Sequence, residues 1–289
     1  MPPFSDAALL DRLGGAARQQ HTACGESRMI WRSWGAGPPL LLFHGGYGSW
    51  THWLRNIEGL AQRYRVVAPD LPGLGDSAMP PSPYTPESVA TVLDAGLDTV
   101  LPGRERFHLV GFSFGSMVGG WLAAARGAQL RSFTLVGAAG LALPRAPMRP
   151  LLPMRPHLDA VAMAELQRVN LGILMFADPA RIDELAVRLQ VENVGRARLK
   201  SRRFAPTDVL RRALPLIATP LAGIWGERDV TAYPHVAERG ALLRATQPGA
   251  PFDVIAGAGH WVQYEAAEEF NAILAARLAA REQGATTNA

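Results

Sequence analysis

The chain has very little of the residue that builds disulfide frameworks and metal–thiolate clusters. Its 289 residues include one cysteine, Cys24. A single cysteine excludes an intrachain disulfide and a cluster of thiolate ligands. Five histidines are scattered along the chain without metal-ligand spacing, namely His21, His52, His108, His157 and His235. We therefore expect no metal site.

Lysine and long apolar runs are also scarce. Lys200 is the only lysine, and the net charge of +4 comes from arginines. These arginines form no basic run interleaved with aromatic residues, and no nucleic-acid-binding motif occurs, so we expect no nucleic-acid partner. The N-terminal stretch MPPFSDAALLDRLGG does not resemble a signal peptide, and no segment approaches membrane-spanning length. These absences predict a cytoplasmic protein with no membrane partner.

What the sequence does contain is a repeated alternation of short apolar runs and helical patterns. The runs PPLLLFHGG, YRVVAPD, FHLVG, RSFTLVGAAG, ATPLAGIWGERD and PFDVIAGAGH predict strands. Ser49 and Thr85 are predicted helix N-caps, and Pro86 follows Thr85 at the first helical position. The alternation predicts an α/β fold with a mostly parallel twisted sheet and helices on both faces. Residues 28–34 are the exception to this parallel pattern, and they predict a hairpin-like strand.

The alternation is interrupted in the second half of the chain. Residues 141–215 contain no strand-like run, open with a stretch rich in proline and arginine, and continue with helical patterns. We interpret this segment as a helical cap inserted between two parts of one core, residues 1–140 and 216–289. The final stretch, REQGATTNA, is expected to be a solvated tail.

The motif that indicates chemistry is GFSFG, residues 111–115. It matches G-x-S-x-G and lies between a predicted strand and a predicted helix, which is the context that this nucleophile motif requires. The glycines allow a strained turn and a close approach of strand and helix. Ser113 would then project above the sheet at a helix N-terminus, where free backbone N–H groups stabilise negative charge.

An aspartate and then a histidine follow Ser113 along the chain, each at the end of a predicted strand. WGERD ends a predicted strand with Asp229, and GHW places His260 just beyond the last predicted strand. Together with HGG, DLPGLGDS and GFSFG, these segments resemble the α/β-hydrolase family over nearly the whole chain. The resemblance implies an α/β-hydrolase fold and a catalytic triad of Ser113, Asp229 and His260.

The chemistry of such a triad assigns the roles. Ser113 would be the nucleophile, His260 its general base and later the acid, and Asp229 would fix the histidine tautomer. The oxyanion would be held by the backbone N–H of Phe114 and, as the resemblance implies, by that of Gly46. No P-loop or dinucleotide fingerprint is present, so no cofactor is expected.

Three other residues of the motifs are expected to be structural. His44 precedes the glycines of HGG and is more suited to orienting that loop than to catalysis. Asp70 and Asp76 flank the LPGLG turn and are expected to stabilise it.

Within the family, the closest resemblance is to meta-cleavage-product hydrolases, which split a carbon–carbon bond in 2-hydroxy-6-oxo-dienoates. GHWVQYEAAEEFN resembles their C-terminal signature, which implies a substrate contact for Trp261. DPARIDELAVRLQ resembles the cap segment that carries an arginine for the substrate carboxylate, a role that falls to Arg188.

One departure from those hydrolases points to a different substrate. They usually carry asparagine before the nucleophile and glycine three residues after it, whereas this chain has Phe112 and Ser116. Phe112 would line a more apolar pocket, which suits an ester or a lactone better. The two resemblances nevertheless favour carbon–carbon hydrolysis of a small apolar carbonyl substrate, with a carboxylesterase or lactonase as the alternative. A non-catalytic small-molecule binding module is the weakest hypothesis, and a homodimer is left open.

Overall fold

The computed structural model of the protein describes residues 6–154 and 157–286. The predicted tail falls partly outside this range, because residues 287–289 are not among the described ones. Residues 281–286 belong to the last helix, and Arg281 and Gln283 in it are exposed to solvent.

The described residues form one eight-stranded sheet. Its strands are β1 (Arg18–Cys24), β2 (Ser27–Trp34), β3 (Pro39–Phe43), β4 (Arg65–Pro69), β5 (Phe107–Phe112), β6 (Leu130–Val136), β7 (Leu221–Gly226) and β8 (Phe252–Ile255). Their spatial order is β1-β2-β4-β3-β5-β6-β7-β8. β1 and β2 pair antiparallel to each other, β2 pairs antiparallel to β4, and the remaining pairs are parallel.

The helices alternate with these strands along the chain. They are α1 (Asp6–Ala16), α2 (Leu54–Leu60), α3 (Pro86–Val100), α4 (Phe114–Arg126), α5 (Ala160–Leu174), α6 (Glu184–Arg196), α7 (Val209–Ala213), α8 (Val236–Thr246), α9 (Val262–Glu265) and α10 (Ala267–Thr286). The predicted cap at the start of α3 is confirmed: the Thr85 side chain accepts a hydrogen bond from the N–H of Ser88, and Pro86 is the first helical residue.

The central strands are buried on both faces, which explains their continuous apolar runs. In β3, Leu41 and Phe43 pack into one core cluster with side chains of α3 and α4. The alternate residues Leu40 and Leu42 pack into a second cluster with side chains of α2 and α10. Helices therefore cover both sides of the sheet, as the sequence predicts.

The segment between β6 and β7 contains helices and turns but no strand in its described residues, 137–154 and 157–220. α5 and α6 pack against each other, and Asn193 of α6 bonds to the loop that precedes α2. There the Ser49 hydroxyl donates to Asn193 Oδ1 at 2.7 Å, and Asn193 Nδ2 donates to Thr51 Oγ1 at 3.0 Å. The cap boundaries at residues 141 and 215 stay a prediction.

Among the described helices, none combines the length and the apolar character needed to cross a membrane.

Candidate active site

Ser113 is the single residue between β5 and α4, and its backbone is strained. Its φ of 50° and ψ of −109° lie outside the regions that residues with a side chain usually adopt. The neighbouring glycines make the turn possible: a Cβ on Gly115 would lie 2.4 Å from the Phe43 carbonyl oxygen, and one on Gly111 would lie 2.7 Å from the Gly115 carbonyl oxygen. The Ser113 N–H donates to Val136 O at 2.9 Å, which anchors the turn to β6. The sequence therefore builds a sharp strand–helix turn that presents this serine.

The serine belongs to a chain of hydrogen bonds. His260 Nε2 lies 3.0 Å from Ser113 Oγ, and His260 Nδ1 lies 2.9 Å from both carboxylate oxygens of Asp229. Asp229 is fully buried and His260 is 3% exposed, whereas Ser113 is partly accessible. A carboxylate can only accept, so Nδ1 carries the proton toward Asp229 and Nε2 is free to accept the proton of the serine hydroxyl.

Thr231 holds the Asp229 carboxylate in place. Its N–H and its hydroxyl donate to Oδ1 at 2.8 and 2.7 Å. On the other side, Gly137 has a φ of 47°, and a Cβ there would lie 3.1 Å from Asp229 Oδ2 and 3.3 Å from His260 Nδ1. The carboxylate is thus fixed in one orientation by donors on one side and by close packing on the other.

Glu265 fixes the loop that carries the histidine. Its carboxylate accepts hydrogen bonds from the N–H groups of Gly259 at 2.6 Å, Ala177 at 3.1 Å and Asp178 at 3.0 Å. Since Gly259 precedes His260 and the other two donors follow α5, one buried side chain joins the histidine loop to the segment between β6 and β7.

The loop after β3 lines the cavity beside the serine with Gly45 and Gly46. His44 Nδ1 lies 2.7 Å from the Gly45 carbonyl oxygen, and Nε2 accepts from the Leu71 N–H at 2.8 Å. Burial lowers the pKa of His44 to about 4, so the ring is neutral and its tautomer is fixed by these two partners. It orients the loop, which is the role expected from the sequence.

The two predicted oxyanion donors lie close to each other at this loop. Phe114 is the first residue of α4, so its N–H has no acceptor within the helix. A Cβ built on Gly46 would lie 3.6 Å from the Phe114 Cβ. Both residues line the same cavity as Ser113 and His260.

That cavity has a volume of ≈ 260 Å³. Its floor and walls are largely apolar, and they include Phe112, Met117, Met148, Leu151, Leu174 and Met175. Two arginines also line it, Arg145 and Arg202, and both are exposed to solvent. The Arg202 guanidinium lies 4.1 Å from the centre of the Tyr47 ring. Within the described part of the chain, no carboxylate forms an ion pair with either arginine.

Comparisons with known proteins agree with this architecture. The model of the alpha/beta hydrolase family matches residues 40–273. A 2-hydroxy-6-oxononadienedioate/2-hydroxy-6-oxononatrienedioate hydrolase of Paraburkholderia phymatum is 30% identical over 270 residues, which is 86% of this chain and 90% of the relative. The chain belongs to the alpha/beta hydrolase family.

Other proteins are similar to different extents. The dihydrolipoyllysine-residue acetyltransferase component of the acetoin cleaving system of Pseudomonas putida is 29% identical over 252 residues. The match covers 81% of this chain but only 62% of that protein. An esterase from Rhodococcus sp. superposes with a TM-score of 0.73 at 20% identity, covering 91% of this chain and 98% of the esterase, which shows a shared fold.

Two of the predicted substrate contacts are not among the residues that line the cavity. Arg188 is on α6, where its side chain is 47% exposed and bonds to Glu192 at 3.0 Å, and it is not among the cavity-lining residues. Trp261 is fully buried, and its indole N–H donates to the His52 carbonyl oxygen at 2.9 Å. The third, Phe112, does line the cavity, and its ring centre lies 5.0 Å from that of His260.

Sequence reasoning missed several residues at the site. Thr231 has a local signal, because a threonine two residues after an aspartate commonly bonds back to it in a turn. Arg145, Ser201 and Arg202 have no such signal, because they come from the long segment between β6 and β7. Only the folded chain brings them to the cavity.

Proposed function

We propose that this protein is a serine hydrolase in which Ser113, His260 and Asp229 form the catalytic triad. The observation that carries the proposal is the 3.0 Å contact between Ser113 Oγ and His260 Nε2, continued to the buried Asp229 carboxylate at 2.9 Å. His260 takes the serine proton as Oγ attacks the substrate carbonyl, and Asp229 stabilises the imidazolium that forms. The proton then passes to the leaving group, and water attacks the acyl-enzyme with His260 again as base.

The negative charge on the tetrahedral intermediate needs fixed donors. The N–H groups of Phe114 and Gly46 supply them, since both residues line the cavity beside the serine. The dipole of the 13-residue helix α4, which begins at Phe114, adds to this stabilisation.

The cavity supports a small substrate with an apolar body and a carboxylate. Its ≈ 260 Å³ lies near the lower end of ligand cavities, which are roughly 300–1,000 Å³. Arg145 and Arg202 lack carboxylate partners among the described residues, and a guanidinium suits a substrate carboxylate well. These two arginines replace Arg188 as our carboxylate-binding candidates.

The reaction that we favour is hydrolysis of a carbon–carbon bond next to a ketone, in a compound of the 2-hydroxy-6-oxo-dienoate type. Such a compound combines a ketone, an apolar chain and a carboxylate. The Paraburkholderia phymatum relative is named as a hydrolase of such compounds, and the match to this chain covers 90% of its length.

A carboxylesterase or lactonase is the second candidate. Phe112 places an aromatic ring on the cavity floor beside His260, where it offers no hydrogen bond to a polar substrate group. A simple ester needs no such bond.

The nucleophile is tested with a fluorophosphonate probe and two substrates. We expect the wild-type protein to be labelled and Ser113→Ala to be neither labelled nor active on a 2-hydroxy-6-oxo-dienoate or a p-nitrophenyl ester. A higher kcat/KM for the dienoate would favour carbon–carbon cleavage, and turnover of the ester alone would favour the second candidate. An unlabelled wild-type protein would point to a non-catalytic binding module.

The carboxylate site is tested by substituting each arginine with glutamine. Arg202→Gln and Arg145→Gln should raise the KM for the dienoate by about tenfold or more, since a charge-assisted hydrogen bond contributes roughly 1.5–3 kcal/mol. The neutral ester should be little affected. Arg188→Gln is the matched control, because this arginine lies on an exposed helix face and pairs with Glu192. An effect in Arg188→Gln alone would restore the assignment made from the sequence.

A further inference from the structure

Ser201 carries an unexplained polar group at the cavity. The residue is 2% exposed, and its hydroxyl oxygen is buried without a hydrogen-bond partner among the described residues. Buried hydroxyls in folded proteins nearly always have a partner, so an exception calls for a reason. Ser201 also lines the cavity that contains Ser113 and His260.

The hydroxyl lies against the loop that carries a predicted oxyanion donor. A Cβ built on Gly46 would lie only 2.3 Å from Ser201 Oγ and 3.6 Å from the Phe114 Cβ. Gly46, Phe114 and Ser201 therefore meet at one place. Because Gly46 has no side chain, the Ser201 hydroxyl occupies the space beside its backbone.

The segment around Ser201 is anchored to the core on both sides. Before it, the N–H groups of Arg198 and Leu199 both donate to Gly73 O at 2.9 Å. After it, the Phe204 ring is stacked on Phe114, with ring centres 6.5 Å apart. These contacts hold the hydroxyl in position before a substrate arrives, which is the property that makes a donor effective in catalysis.

We propose that the Ser201 hydroxyl donates a third hydrogen bond to the oxyanion, alongside the backbone N–H groups of Gly46 and Phe114. The inference rests on the proposed serine-hydrolase function. Ser201 comes from the segment between β6 and β7, whereas the two backbone donors come from the β3 loop and α4. The oxyanion site thus has all three donors only when that segment is packed against the core.

The experiment compares Ser201→Ala with the wild-type protein in the rate of labelling by a fluorophosphonate probe. As Ser113 attacks the probe and fluoride leaves, negative charge builds on the phosphoryl oxygen in the same donor site, and the reaction requires no knowledge of the natural substrate. Loss of one oxyanion donor lowers kcat by about 10²–10³ in a two-donor site. With two donors remaining here, we expect the labelling rate to fall by about tenfold to a hundredfold.

A second readout separates an oxyanion role from a packing role. The affinity for phenylboronic acid, which forms a tetrahedral anionic adduct with the serine, should fall by a similar factor in Ser201→Ala. The affinity for benzyl alcohol, a neutral ligand that forms no such adduct, should stay within about twofold. Ser33→Ala, a serine change on β2 away from the cavity, is the control and should alter neither.

The outcomes distinguish this inference from the function on which it rests. A wild-type protein that is labelled, with Ser201→Ala labelled at the same rate, would overturn the third donor and leave the triad intact. Equal losses for phenylboronic acid and benzyl alcohol would also overturn it, because they indicate a packing role. A wild-type protein that is not labelled would remove both proposals.

Discussion

Substituting Asp229 with asparagine should invert the protonation of His260, because the surroundings of the carboxylate are asymmetric. The Thr231 backbone N–H donates to Oδ1 at 2.8 Å, and this donor cannot become an acceptor. An asparagine must therefore keep its oxygen at the Oδ1 position, which places its NH₂ where Oδ2 lies. Because both positions are 2.9 Å from His260 Nδ1, a proton on Nδ1 would face the N–H of the amide. The amide then donates to Nδ1, and the histidine proton moves to Nε2.

The consequence is a histidine that cannot act as the base. With Nε2 protonated, the atom 3.0 Å from Ser113 Oγ has no lone pair to accept the serine proton. A triad held in this wrong tautomer loses about 10⁴ in kcat, which corresponds to roughly 5.5 kcal/mol of transition-state stabilisation. We expect the fluorophosphonate labelling rate of Asp229→Asn to fall by a similar factor, with the unfolding temperature little changed.

Two variants serve as controls for this prediction. Asp253→Asn makes the same chemical change on β8, where the aspartate pairs with Arg277, and it should leave the labelling rate unchanged. Thr231→Val removes the hydroxyl donor to Asp229 but keeps the N–H, so the loss should be limited to about 10–100-fold. Labelling of Asp229→Asn at more than about a tenth of the wild-type rate would refute the tautomer argument.

Three further predictions concern stability and reactivity. Gly115→Ala should lower the unfolding free energy by about 3 kcal/mol or more, because its Cβ would lie 2.4 Å from a backbone oxygen. Gly195→Ala, whose Cβ would meet nothing within 4 Å, should instead stabilise α6 by about 0.4–1 kcal/mol. Urea unfolding of both variants checks this. Burial lowers the pKa of His44 and of His108 to about 4, so the unfolded chain, in which both titrate near 6.5, takes up protons first as the pH falls. The unfolding free energy should therefore decrease between about pH 6.5 and 4, by up to about 1.4 kcal/mol per pH unit for each histidine, and a slope unchanged in His108→Gln would contradict the assignment. Burial raises the pKa of the Cys24 thiol to about 11, so Ellman's reagent at pH 8 should detect no thiol in the folded protein and one in guanidinium chloride.

The core strands were predictable because the burial of each strand requires apolar residues within the strand itself. β3 and β5 are buried on both faces, which requires a continuous apolar run. β1, at the edge of the sheet, was missed: its sequence RQQHTAC is largely exposed and resembles a polar loop. Edge strands take their conformation from the neighbour with which they pair, and the pairing of β1 with β2 is not visible in the seven residues themselves.

The substrate contacts were harder to predict than the triad, and Arg188 illustrates why. It lies on α6, where its side chain is exposed to solvent and pairs with Glu192. Trp261 follows the histidine directly, yet its ring turns into the core to bond with His52. The direction of a side chain depends on how an element packs, which local sequence does not specify.

The alternating α/β architecture and the positions of Ser113, Asp229 and His260 along the chain can be read from the residues alone, because strand patterns and strand-end motifs are local. The surroundings of these three residues depend instead on how the chain folds. Parallel strands bring their carboxyl ends to one edge, where Thr231 secures Asp229 and the segment between β6 and β7 contributes Arg145, Ser201 and Arg202. The physical reason is that these contacts join residues far apart in the chain. Their energies depend on packing between elements rather than on the neighbours of each residue in sequence.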